Sequence, residues 1–516
     1  MTESPSAASF ARDAYRPRMH YTAADTWIND PNGLVYADGV YHLFYQTNPD
    51  GIDHANLSWG HAVSTDLLHW RDRPIAIRHD EHEEIYSGSV VVDEGNTSGL
   101  GPPGSSPLVA VYTSHYTDRS RYRGIQAQSL ASSLDGGETW TRYAGNPVLN
   151  RGSADFRDPK VFRYRGETAE YWVMAAVEAI DPKVVFYRSD DLRTWTYLSH
   201  FEATEPVGRS WECPDLFPLD VDGDLAWVLI VNLLLKDGDG GSAGVYFTGD
   251  FDGTSFTATG TPDWQWLDHG RDYYATVSYS NAPDGRRILL GWMNNWDYAL
   301  AIPTSPWRGA MALPREVSLH ADDRRLFLRQ RVVTGLDPAG PAHALELHDI
   351  PEGIHRLPAD CDDQPYLVEA TFAAGTAAEF GLVLRHDGDE GTRIGYRALL
   401  GELVLDRTAS GHAGFSPHFP VADTAPVALI DGRLQVQVYL DASSVEVFAQ
   451  DGRVTITDQI FPNPSSTGLA VYAVAGTAHL ISLTITPLAA TPVHRDQPTA
   501  EEPSHRVQRR LPRLPL

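Results

Sequence analysis

A β-rich unit of roughly 60 residues recurs through the first 330 residues of the chain. Asp30-Pro31, Asp158-Pro159 and the related Glu212-Cys213-Pro214-Asp215 each stand before a pair of strand-like runs. Two further units open at Tyr86-Ser87-Gly88-Ser89 and Asp272-Tyr273-Tyr274-Ala275. Unit starts at 30, 87, 158, 212 and 272 are 57, 71, 54 and 60 residues apart. Later in the units, Ser64-Thr65-Asp66-Leu67-Leu68-His69-Trp70 is echoed by Ser189-Asp190-Asp191-Leu192-Arg193-Thr194-Trp195, with looser echoes at 132–140 and 250–256. No helical period interrupts them. Five such units predict a five-bladed β-propeller, each blade a small antiparallel sheet, ahead of a set of unrelated sandwich hairpins.

The first unit is the most explicit. In Trp27-Ile28-Asn29-Asp30-Pro31-Asn32-Gly33 the Asp-Pro step cannot continue a helix, and Asn32-Gly33 carries turn chemistry. Residues 34–46 then read as two strands about the Asp38-Gly39 turn, a hairpin with Asp30 held at its mouth. The first strand of each propeller blade lines the central axis. Three unit starts carry an acid beside a proline, so Asp30, Asp158 and Glu212 are expected to converge there.

Residues 1–18 are polar and expected to be loose, and 19–330 form the propeller. Gly335-Leu336-Asp337-Pro338-Ala339-Gly340-Pro341 reads as a linker. From 345 to 490 the runs alternate with period 2, as in Leu434-Gln435-Val436-Gln437-Val438-Tyr439-Leu440, and predict a β-sandwich. The tail at 491–516 is rich in Pro, Arg and Glu and reads as disordered. The expected fold class is therefore all-β throughout.

A net charge of −27 argues against nucleic acid and anionic membranes as partners. The two cysteines, Cys213 and Cys361, provide no disulfide framework, and no Cys/His cluster has metal-ligand spacing. No apolar run suggests a leader or a membrane span, so a soluble cytoplasmic protein is expected. The 13 tryptophans suit stacking on sugar rings as well as core packing. Converging carboxylates in an aromatic-rich cleft suggest glycoside hydrolysis: one attacks or stabilises the cationic sugar, and one protonates the leaving oxygen. The competing reading is a cation site or a structural carboxylate cluster.

Trp27-Ile28-Asn29-Asp30-Pro31-Asn32-Gly33, Phe156-Arg157-Asp158-Pro159 and Trp211-Glu212-Cys213-Pro214-Asp215 resemble the three signature boxes of glycoside hydrolase family 32. That family comprises invertases, inulinases, levanases and other β-fructosidases. The resemblance extends through Trp59-Gly60-His61, Tyr86-Ser87-Gly88-Ser89, Gly291-Trp292-Met293-Asn294-Asn295-Trp296 and Val445-Glu446-Val447-Phe448, covering about residues 18 to 490. It implies a propeller joined to a C-terminal sandwich, with no cofactor and no metal. It also implies a retaining hydrolase that frees fructose from the non-reducing end of sucrose or β-fructans. In the same terms Asp30 is the nucleophile, Glu212 the acid/base, and Asp158 the stabiliser of the transition state beside Arg157. The implied fructose pocket takes in Asn29, Gln46, Tyr86, Ser87, Asn232, Trp292 and Trp296. The family's usual Trp eight residues after Gln46 is replaced by His54, with Trp59 near enough to fill the gap. A fructosyltransferase using the same intermediate, or a fructan-binding protein without catalysis, is the alternative.

Overall fold

Five antiparallel sheets wind in sequence order around one axis, and their innermost strands are Trp27–Ala37, Glu83–Val92, Phe156–Arg165, Ser210–Val221 and Tyr274–Ser278. The computed structural model describes residues 14–495 except 168, 206, 237–239, 323–324, 346–348, 363 and 492. Blades 1 to 4 have four strands each, and blade 5 adds the short pair Ala310–Met311 to its four. Inner strands of successive blades pack together in a ring. The ring closes where Ser280 exchanges backbone hydrogen bonds with Leu34 and Tyr36 of blade 1. The propeller expected from the repeat is the fold observed. Among the described residues the helical content is a single 3₁₀ turn, Pro283–Gly285.

Large apolar side chains fill the wedges between blades. Phe44, Trp59, Val90 and Tyr112 are buried together between blades 1 and 2, and each such side chain contributes about 1.5–3 kcal/mol by leaving water. The second half of the chain is a sandwich of two sheets, one centred on Tyr366–Ala373 and Arg433–Asp441, the other on Glu379–Asp387 and Gly468–Val474. Their inward residues, such as Val368, Leu382, Val438 and Val471, make one apolar core.

Buried ion pairs join the two halves. Arg315 of blade 5 is fully buried; it donates to Asp268 (2.8 Å) and to Glu446 of the sandwich (2.7 Å). Arg407 of the sandwich reaches Asp272 (2.6 Å) and the Tyr298 hydroxyl (2.7 Å) in blade 5. His20 lies between Asp441 and Glu446 at 2.7 and 2.9 Å.

The ends depart from expectation where they are described. Residues 1–13 and 496–516 lie outside the described residues. Arg16, placed in the loose segment, donates to the carbonyls of Ala23 and Ala24, and His494, placed in the tail, bonds to Trp70 and Asp72 of blade 1. The linker is also tied down, with Ala339 and Asp337 bonded to the sandwich edge at Pro487 and Ala489.

Candidate active site

Every inner strand slips register near its start. The shifts fall at Ile28/Pro31, Tyr86/Gly88, Glu212/Asp215 and Tyr274/Val277, and in blade 3 between Arg157 and Lys160. A β-bulge leaves one residue unpaired and re-aims its side chain, and proline suits such positions because it has no N–H to leave unbonded. Asn32-Gly33 is thus no turn. It lies inside the strand, and Gly33 adopts φ +56° where a Cβ would strike Phe44 and Val90. Asp158 and Cys213 also take left-handed backbone, at φ 61° and 42°. Such strain at a non-glycine residue costs about 1–3 kcal/mol and collects at functional sites.

The bulges bring the three acids to one end of the axis. Asp30 is 9% exposed and Asp158 6%, while the Glu212 side chain keeps 18%. Asp30 sits in a closed hydrogen-bonded ring. Asn29 Nδ2 donates to Asp30 Oδ1 (3.0 Å) and to Gln46 Oε1 (2.7 Å). Gln46 Nε2 donates to Ser87 Oγ (2.7 Å), and Ser87 donates to Asp30 Oδ2 (2.6 Å). Trp27 Nε1 fixes Asn29 from outside the ring (2.7 Å). Burial pushes the Asp30 carboxyl up; the Ser87 hydroxyl restrains the rise and Glu212 adds to it.

Asp158 accepts the Cys213 backbone N–H at 2.9 Å, aimed by the left-handed turn at Cys213. Its own N–H is anchored on Thr113 Oγ1 at 2.9 Å. Burial is the main cause that pushes Asp158 up to about 7; Arg157, 3.8 Å away, opposes it, and Glu212 and Asp30 reinforce it. Glu212 accepts Arg157 Nη2 at 2.8 Å on one oxygen and the Tyr274 hydroxyl on the other. Tyr86 forms part of the rim, its ring stacked on His115 at 4.6 Å.

The remaining expectations divide. Trp296 is half-buried and stacks on Trp27 at 6.0 Å, and the exposed His54 sets its ring edge-on to Trp296 at 5.0 Å. Trp292 is fully buried beneath Trp27 and Trp296, so it supports the wall from behind. Trp59 is also fully buried; it packs on Phe44 and Tyr112 and donates to the Tyr86 carbonyl (3.0 Å), so it does not fill the gap beside His54. Asn232 spends its amide on the carbonyls of Cys213 and Thr276 and on the Thr276 N–H, which makes it a brace for the blade 4 bulge. Sequence reasoning gave no role to Thr113, Tyr274 or His115. Tyr274 stood in a quoted motif, but Thr113 and His115 belong to a second strand with no motif to mark them.

Among the described residues no group of His, Cys, Asp and Glu is arranged to hold a metal ion. The arrangement can do acid–base and nucleophilic chemistry: one carboxylate braced on both oxygens, one partly exposed and held by a cation and a phenol, and a third buried close enough to feel both.

Comparison with known proteins gives concordant results. Residues 20–330 match the glycosyl hydrolases family 32 N-terminal domain, and residues 347–487 match the C-terminal domain of the same family. A levanase of Bacillus subtilis is 44% identical over 93% of this chain and 71% of its own. The crystal structure of exo-inulinase from Aspergillus awamori superposes with a TM-score of 0.87, at 35% identity over 93% of this chain and 99% of that one. A fructofuranosidase from Schwanniomyces occidentalis, complexed with fructose, gives 0.84 at 28% identity over 93% and 99%.

Proposed function

Because the chain belongs to glycosyl hydrolase family 32, we propose that Asp30, Glu212 and Asp158 carry out the double displacement by which it frees fructose. The chain is a β-fructosidase acting on fructans or sucrose, as are the levanase, exo-inulinase and fructofuranosidase it resembles. Asp30 attacks the anomeric carbon from its ring of donors, which hold the carboxylate in one orientation without side-chain searching. Glu212 gives its proton to the leaving oxygen and then removes one from water. Arg157 and Tyr274 orient Glu212. Asp158 and Arg157 bind sugar hydroxyls as positive charge develops on the ring. Asn29, Gln46 and Ser87 act on the sugar and on Asp30 together, while Trp296, His54 and Tyr86 form the rim.

The observation that carries this assignment is the convergence of three acids from three inner strands, Asp30 fixed by the Asn29–Gln46–Ser87 ring, Glu212 held by Arg157 and Tyr274, and Asp158 coupled electrostatically to both. Reducing-sugar release measured on sucrose, inulin and levan tests the activity and ranks the substrates. Product analysis at high sucrose separates hydrolysis from transfer. Accumulation of longer fructosides in place of free fructose would favour the transferase, and no release from any of the three would overturn the reading.

A further inference from the structure

A second cavity lies at the end of the propeller axis opposite the acids. Its volume is about 620 Å³, well inside the range of roughly 300–1,000 Å³ typical of small-molecule sites. It is lined by the far halves of the inner strands of blades 2, 3 and 4, by Trp172 and Trp227 from the adjoining strands, and by Arg287 of blade 5. Only a void of about 10 Å³, the size of one water, lies between its floor and the acids. Lys160 forms that floor, bonded to the Ser278 carbonyl (2.6 Å) and to Asp215 (3.0 Å). The hydrolytic reaction makes no use of this space.

Three features describe what would fit it. Phe162, Tyr164 and Trp227 form a continuous half-buried aromatic wall, with Trp227 5.9 Å from Phe162 and 6.3 Å from Tyr164. Aromatic faces of this kind accept the C–H faces of sugar rings. Two guanidinium N–H groups in the lining, Arg163 Nη1 and Arg287 Nε, are buried with no hydrogen-bond partner among the described residues. Both guanidinium groups are pinned, Arg163 over Trp172 and by a bond to Glu170 (3.0 Å), Arg287 over Phe217 and by a bond to Ser278 Oγ (3.1 Å). A buried donor without a partner costs about 1–3 kcal/mol, which an acceptor-bearing ligand recovers. The lining charges nearly balance, with Lys160, Arg163, Arg165 and Arg287 against Asp93, Glu94 and Glu170. On a chain of net charge −27 that balance disfavours an anion and suits a neutral polyol.

We propose that this cavity is a second, non-catalytic carbohydrate site that holds a segment of neutral oligosaccharide. Sugar rings lie on Trp227 and Tyr164, and their hydroxyl oxygens accept from Arg163 and Arg287. Identifying the saccharide as a β-fructan rests on the function proposed above; the cavity's chemistry does not. A polymer held on this face keeps the enzyme on its substrate between cleavage events without taking part in them.

The test is calorimetric titration of the full-length Asp30→Asn protein with an inulin-derived pentasaccharide. Two binding events per chain are expected. Adding Trp227→Ala should weaken one of them about tenfold or more. Trp227→Ala alone should leave kcat/KM on sucrose, which is too short to use both faces, within about twofold of the parent. Arg163→Gln serves as the second variant if Trp227→Ala does not fold, and should also weaken one event. A single binding event, or two events unaffected by either variant, overturns the far-face site. Competition by inorganic phosphate at the far face overturns its neutral ligand. Absence of any binding overturns the fructan reading together with the inference that rests on it.

Discussion

Asp30 and Asp158 are both buried acids, yet their surroundings differ. Asp30 has a donor on each oxygen, and the Ser87 hydroxyl can reverse to accept from an amide. Asp30→Asn should therefore fold normally and lose turnover, checked by circular dichroism and fructose release. Asp158 is raised to about 7, against roughly 3.9 unfolded. Its charged form is disfavoured in the fold, so the chain loses stability as pH rises from about 4 through 7. Asp158→Asn should remove that loss and gain on the order of 1–3 kcal/mol at pH 8. Little difference from the parent is expected near pH 4, and thermal melts at both values decide. His54 offers less stacking area than an indole. His54→Trp should lower KM several-fold with kcat nearly unchanged, because a wall contact worth on the order of 1–2 kcal/mol serves ground and transition states alike. An unchanged KM for both His54→Trp and His54→Ala would remove His54 from the pocket.

At the level of strands, the acid–proline pattern encodes a bulge. The spacing of unit starts marked all five inner strands, because each blade needs the same irregularity at the same place. Asn32-Gly33 was misread as a turn for a physical reason. A left-handed glycine serves a bulge and a turn equally, and local sequence does not distinguish them. Gly33→Ala should cost 2 kcal/mol or more, by the order of magnitude of left-handed strain plus overpacking against Phe44 and Val90. Urea unfolding measures it, and a loss under about 0.5 kcal/mol would mean the strand relaxes freely. Trp59, Trp292 and Asn232 were assigned to the pocket because motif membership does not say which way a side chain faces. Strand alternation and the bulges turned all three inward.

Across the whole molecule, the two-part architecture was legible from the period-2 runs and the linker. The cement between the parts was not. Arg315, Arg407 and His20 find their cross-domain partners more than 100 residues away, and nothing local announces such pairs. Burial alone would lower the pKa of His20, but its bonds to Asp441 and Glu446 raise it to about 9. Its contribution to stability is complete below the unfolded value near 6.5 and is lost as pH rises through 9. The parent should lose about 3 kcal/mol from this source over that window. His20→Asn should be less stable at pH 6 and show a flatter decline. Parallel slopes for parent and variant in thermal melts from pH 6 to 10 would contradict the pairing.

The central claim is that Asp30 attacks and Glu212 manages the protons. Glu212→Gln should still form the intermediate from an activated fructoside whose leaving group needs no proton, but it lacks the base that activates water. Release from ordinary fructosides should fall by about 10²–10⁴-fold. Mass spectrometry of that variant, rapidly quenched and digested, should find a fructosyl group on the peptide that carries Asp30. An adduct on any other acid, or none while fructose is still released, would contradict the mechanism.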